Sequence, residues 1–150
     1  MGLNMYLVKK TFVGGQYDKG VIYIEANEKK LAIDLNRVTY IDEEIGYWRK
    51  AYAIHNWFVN NCQDGVDDCR DAYVSKENLE TLLELCKQVK KNKKHPEEAM
   101  LLLPTKSGFF FGNTDYEDWY FEDIDTTIAI LEKALAEDMS NAEYSYHSSW

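Results

Sequence analysis

The sequence predicts an α+β fold: a small antiparallel sheet with three to four helices, forming one domain over residues 1–150. Three observations predict it. Strand-forming residues dominate the first 41 positions. Helical spacing of apolar residues takes over at about Tyr47 and lasts to Leu135. Period-two alternation then returns in the tail from Tyr144 to Trp150. Strands first, helices next and one returning strand is an α+β order.

Each element has its own signal. Residues 5–13, MYLVKKTFV, are rich in strand formers, and Gly14-Gly15 breaks the run. Val21 to Ile24 reads as a second strand and Leu31 to Ile33 as a third, with a turn over Asn27 to Lys30. Arg37 to Ile41 reads as a fourth. Ala51, Ile54, Phe58 and Cys62 recur at helical intervals in a helix starting near Trp48. Cys62 to Cys69 is a loop turned by Asp64-Gly65. Ser75 caps a second helix, striped by Leu79, Leu82, Leu83, Cys86 and Val89. Pro96 opens a short third helix, from Glu97 to Leu103, and Pro104 ends it. Phe109 to Phe111, between two glycines, suits a buried strand or tight loop. Tyr120, Phe121, Ile124, Ile128, Leu131 and Leu135 mark the longest amphipathic helix. The tail reads as a strand placing Tyr144, Tyr146, Ser148 and Trp150 on one face, paired with the N-terminal sheet.

Composition narrows the function classes. Hydrophobic residues at 45% and charged residues at 29%, with 2 prolines, describe a globular chain, not a disordered one. The formal net charge of −9 disfavours direct nucleic-acid binding, which needs cations against phosphates. The lysines at 87, 90, 91, 93 and 94 cluster, and a solvated helix end explains them better than a phosphate patch does. No apolar run approaches the roughly 18 residues of a membrane helix, and no basic segment leads into a long apolar core. The expectation is a soluble protein of the cytoplasm, without membrane contact. Three cysteines, an odd number, point to reduced thiols. The six residues between Cys62 and Cys69 exceed the spacing of structural zinc pairs. No metal, disulfide or cofactor is expected. The sequence sets no oligomeric state.

No phosphate-binding loop, dinucleotide fingerprint, nucleophile elbow or zincin helix is present. The candidate residues are therefore single ones. His55, on the apolar side of the first helix, is a candidate ligand contact or general base; its bland reading is a core histidine. Tyr47, Trp48 and Arg49 set a guanidinium beside aromatics, which suits a phosphate or carboxylate. The bland reading is core aromatics with an Arg49 ion pair to Glu43 or Glu44. Asp67, Asp68 and Cys69 form a polar loop that can fold back beside that helix. Phe110 lies in an aromatic stretch that suits a ligand wall as well as a core strand. The site expectation is that Tyr47, Arg49, His55 and the Asp67-Asp68 loop converge near Phe109 to Phe111.

The runs MGLNMYL (1–7), EIGYWRK (44–50), AIHNWF (53–58), DDC (67–69), LLPT (102–105), SGFFFG (107–112) and SSW (148–150) resemble an uncharacterised family of small bacteriophage and prophage proteins. The chain departs from it at Asn4, where Asp is usual, and at Tyr52, where Asn is usual. The resemblance implies a phage protein acting in the cytoplasm of a bacterial host. It makes Tyr47, Trp48, Arg49, His55, Asp67, Asp68, Cys69 and Trp150 motif positions, and it implies no activity. The leading expectation is a binding protein that captures a host protein or a small anionic ligand, with counter-defence as a candidate role. The alternatives are a small enzyme using His55 with Cys69 or an Asp, and an acidic DNA mimic. The mimic reading rests on Asp115, Glu117, Asp118, Glu122, Asp123 and Asp125.

Overall fold

The structure, a computed structural model, describes residues 2–13, 21–27, 29–34, 37–105 and 114–150. The fold is α+β. Its strands are β1 (Asn4–Phe12), β2 (Val21–Ala26), β3 (Lys29–Asp34), β4 (Tyr40–Arg49), β5 (Ala72–Val74) and β6 (Ala142–Ser149). Its helices are α1 (Tyr52–Cys62), α2 (Lys76–Lys91), α3 (Pro96–Leu102) and α4 (Thr114–Leu135).

An antiparallel sheet of order β4-β1-β6-β5 organises the chain. The tail pairs with β1 over Asn4↔Ser149 to Thr11↔Ala142, as its alternation predicts. The sequence reading groups the first 41 residues in one sheet. Instead β2 and β3 pair only with each other, and the partners of β1 are β4 and β6.

Alternation gives the sheet an inner and an outer face. Met5 and Leu7 on β1, Trp48 on β4, Val74 on β5, and Tyr144 and Tyr146 on β6 point inward and are buried. Phe58 of α1, Leu79 and Leu82 of α2, and Ile124 and Leu131 of α4 cover them. The described helices therefore lie on one face. The tail's fourth predicted inward residue, Trp150, follows the end of β6 and is exposed, because the chain turns it toward the loop after α1.

The stretch Tyr47-Trp48-Arg49 corrects the sequence reading: it is strand, not the start of a helix. Gly46 and Trp48 point in while Tyr47 and Arg49 point out, which is period two. Lys50, at φ 57°, breaks the strand, and α1 starts at Tyr52. Helical spacing misleads here because Trp48 and Ala51 are both buried, three residues apart. Lower down, Ser75 caps α2 in a two-way exchange with Asn78, and Pro96 opens α3. β5 carries no sequence signal: three residues are too few to show a period.

Asp123 on α4 makes the first testable point. Its carboxyl has no hydrogen-bond or ion-pair partner among the described residues, and burial, with Glu122 beside it, pushes its pKa up to about 7. The folded state thus keeps a proton that the unfolded state releases near pH 4. Stability should fall as pH rises from about 4 to about 7, then level. Asp123→Asn should flatten that slope and raise stability above pH 7. Urea melts across this range check it.

Candidate functional site

The loop between α1 and β5 is built to fold back. α1 ends where Gln63 N and Gly65 N both donate to Val59 O, at 3.1 and 2.9 Å. Asp64 and Gly65 take positive φ, 53° and 75°, a turn that glycine adopts without cost. The base of the loop is then clamped both ways. Gln63 Nε2 donates to Arg70 O at 3.0 Å, and Arg70 Nη2 donates to Gln63 O at 2.6 Å. Asp68 accepts from Arg70 N at 3.3 Å and lies 3.5 Å from its guanidinium. Cys69 between them sits at φ 62°, an uncommon place for a residue with a Cβ.

This loop returns Asp67 to His55, which is 5% exposed. His55 Nδ1 is 2.6 Å from Tyr146 Oη, and Nε2 is 2.9 Å from Asp67 Oδ2, off the line of a straight hydrogen bond. Trp150 Nε1 donates to the other Asp67 oxygen at 3.0 Å. Burial, with Asp67, Cys62 and Cys69 near it, raises the pKa of the Tyr146 hydroxyl. Tyr146 therefore stays protonated, and its hydroxyl shares one short hydrogen bond with Nδ1. The other ring nitrogen, Nε2, is turned toward Asp67. The chain Trp150–Asp67–His55–Tyr146 ties the tail, the loop, α1 and β6 together. Phe58 stacks on Tyr146 at 4.1 Å and 8°, closing it from below.

Chemically this is a holding device. His55 Nδ1 is hydrogen-bonded to Tyr146, and Nε2 faces Asp67 rather than a cysteine. Burial pushes the Cys62 thiol up to about 11, which keeps it from being a nucleophile near neutral pH. Among the described residues no three of His, Cys, Asp and Glu are placed to hold a metal ion.

The other candidates lie across the sheet. Trp48 is buried, its Nε1 donating to Thr127 Oγ1 at 2.9 Å. Tyr47 and Arg49 are on the outer face, where Tyr47 Oη donates to Asn4 Oδ1 at 2.7 Å. Arg49 makes no ion pair with a described residue, so the bland pairing with Glu43 or Glu44 is absent. His55 and Arg49 therefore do not share a face: one is under the sheet and the other on it. Phe110, and the Phe109 to Phe111 segment it centres, lie outside the described residues.

The outer face is the feature that sequence reasoning missed. Across it, Tyr47 on β4, Tyr6 on β1 and His147 on β6 form one cross-strand row. The Tyr47 and Tyr6 rings are 5.5 Å apart, and Tyr6 stacks on His147 at 4.8 Å. His147 Nδ1 lies 3.5 Å from Asp71, just before β5. Tyr73 of β5, 64% exposed, stands in the next row. Farther along are Lys10 and Glu143, then Phe12 and Tyr40. No described helix covers these residues. Alternation in β1 and β6 is legible in the sequence; which of their two faces the helices cover is not.

The acidic start of α4 does not form one open row. Asp125 Oδ1 accepts from Lys90 Nζ at 2.9 Å, and Asp123 is partly buried. The Asp115 and Glu117 side chains lie outside the described residues. No helix among the described residues is long and apolar enough to cross a membrane. Comparison of this chain with protein-family models, with curated proteins and with solved structures returned no match.

Proposed function

We propose that this is a phage-type binding protein that captures a host protein on the outer face of its sheet. The observation that carries the reading is the uncovered row Tyr47–Tyr6–His147, flanked by Tyr73 and by an Arg49 that makes no ion pair with a described residue. Tyr and Arg are enriched at the energetic centres of protein interfaces. The face spans the four strands of the sheet. The depression at its far end, lined by Lys10, Phe12, Tyr40 and Glu143, holds about 250 Å³. Small-molecule pockets usually hold roughly 300–1,000 Å³, so a protein surface suits this face better than a small anion does. The enzyme reading is weaker, because His55 is buried beneath the sheet with Nδ1 bonded to Tyr146 and Nε2 facing Asp67.

A photo-crosslinking residue placed at Tyr47 or Tyr73 in host cells tests this. A discrete adduct with a host protein is expected from both positions, and none from Tyr52 or Trp119, which are exposed on helices. Equal adducts from all four positions, or none from the sheet, would remove the reading. In parallel, Arg49→Ala should weaken capture about tenfold or more, as loss of an interface arginine does. Its melting temperature should not move, since Arg49 supports no described ion pair.

A further inference from the structure

The far end of the outer face is anionic. Directly opposed residues in antiparallel strands point to the same face. Lys10 of β1, which shares the outer face with Tyr6, is opposed by Asp42 on β4 and by Glu143 on β6. Glu44 stands in the next row, opposite Val8. Three exposed carboxylates therefore surround one ammonium. None of the three makes an ion pair with a described residue. The Lys10 ammonium is instead drawn onto an aromatic face, with Nζ 5.2 Å from the centre of the Tyr40 ring.

Carboxylates on an edge strand ward off unwanted strand pairing, which accounts for Asp42 and Glu44 on β4. Glu143 has no such role, because β6 is an interior strand. It lines the depression of about 250 Å³, together with Phe12 and Tyr40. Those two rings lie 5.4 Å apart and are each 49% exposed. Backbone hydrogen bonds hold them in place: Phe12 N donates to Asn141 O at 2.7 Å, and Val13 N to Thr39 O at 2.9 Å. An exposed aromatic wall, a carboxylate without a described ion-pair partner and a shaped hollow thus meet at one place.

We infer that this hollow seats an arginine side chain of the captured protein, with its guanidinium between the Phe12 ring and the Glu143 carboxylate. Such an anchor rests on host capture by this face and specifies the partner's chemistry. A guanidinium stacks on an aromatic ring, pairs with a carboxylate through two N–H groups and is more weakly hydrated than an ammonium. It therefore suits a half-open hollow better than a lysine does. An anionic group fares worse, since the cation there lies on Tyr40 and has a carboxylate on either side. A hollow below the roughly 300 Å³ of small-molecule pockets fits a single side chain. The formal net charge of −9 also draws a basic surface toward the chain from a distance.

Titration of the isotope-labelled full chain with a capped Gly-Arg-Gly tripeptide, followed by NMR, tests the anchor. Saturable amide shifts at Phe12 and Glu143 are expected in the millimolar range, as one anchor without the rest of an interface gives. The citrulline analogue keeps the shape and loses the charge, and should bind about threefold more weakly. Glu143→Gln should weaken the arginine peptide by a similar factor; should it not fold, Asp42→Asn should act in the same direction. Lys10→Met should strengthen binding about twofold, because it removes the competing ammonium. Glu97→Gln, exposed on α3, should change nothing. Equal shifts with the citrulline analogue, tighter binding of a capped Gly-Lys-Gly or Gly-Glu-Gly tripeptide, or loss of binding in Lys10→Met overturns the anchor. Host adducts from Tyr47 with no peptide binding would sink the anchor alone; peptide binding with no host adduct would sink host capture alone.

Discussion

Phe58→Ala should be the most damaging single substitution in the helical layer, costing about 3–5 kcal/mol as buried Phe-to-Ala changes do. Phe58 is fully buried and is shared by three aromatic partners. It stacks on Tyr146 at 4.1 Å, meets Trp57 edge-on at 5.3 Å and meets Trp48 edge-on at 5.9 Å. Tyr146 and Trp48 stand on β6 and β4, with β1 between them. Removing the ring thus leaves a cavity under the middle of the sheet, with stiff strands above that cannot collapse into it. The melting temperature should drop by about 10 °C or more for a chain of this size. Phe58→Leu, which keeps most of the volume, should recover more than half of the loss. Thermal and urea melts followed by circular dichroism read both. A Phe58→Ala protein that melts within a few degrees of wild type would mean that α1 does not pack on β6 as described.

The second large effect belongs to His55. Replacing it with Ala takes away the described partner of the Tyr146 hydroxyl, in a place where His55 itself is 5% exposed. Stranding a buried polar group costs about 1–3 kcal/mol, and more for a charged one. A loss of about 1–3 kcal/mol is expected from the Tyr146 hydroxyl, together with the packing lost with the ring. The effect should be strongly non-additive. Once His55 is gone, Tyr146→Phe should cost little or even recover stability, because the hydroxyl it deletes is already unpaired. A double-mutant cycle with His55→Ala, Tyr146→Phe and their combination measures this coupling. Additive losses would show that the 2.6 Å contact does not carry energy. His55→Gln should fall between wild type and Ala, since its amide can reach only one of the two neighbours. In each variant the capture of a partner on the outer face should persist in the folded fraction, because His55 lies beneath the sheet. A folded His55→Ala protein that loses capture would instead make His55 part of the binding surface.

The features legible in the sequence are local ones. Ser75 with Asn78 three residues on, Pro96 before an apolar turn, and the stripe from Leu79 to Val89 each specify a helix through contacts within a few residues. The alternation of Tyr144, Tyr146 and Ser148 specifies a strand with one buried face for the same reason. The segment around Tyr47 misleads because two local signals overlap there. The strand ends with inward Trp48 and the helix begins with inward Ala51, so a period of three spans a boundary. The strand Ala72–Val74 is too short for any period, and only its pairing with β6 defines it.

The site divides along the same line. Sequence alone marks Tyr47, Arg49, His55 and Asp67 as candidate site residues and reads Trp150 as the end of a strand. It does not show which of them meet. His55 and Tyr146 are 91 positions apart, and Asp67 and Trp150 are 83 apart. Only the return of β6 beside β1, with the loop clamped by Gln63 and Arg70, brings these four into one chain. The outer face is likewise set by the tertiary fold. Alternation in β1 assigns Tyr6 and Met5 to opposite faces, but either face could have received the helices. The larger apolar area on the Met5 and Leu7 side, joined by Trp48 and Tyr146, drew the helices there, because burial of apolar surface is the stronger force. Tyr6, Tyr47 and His147 were left facing outward on the side that no described helix covers.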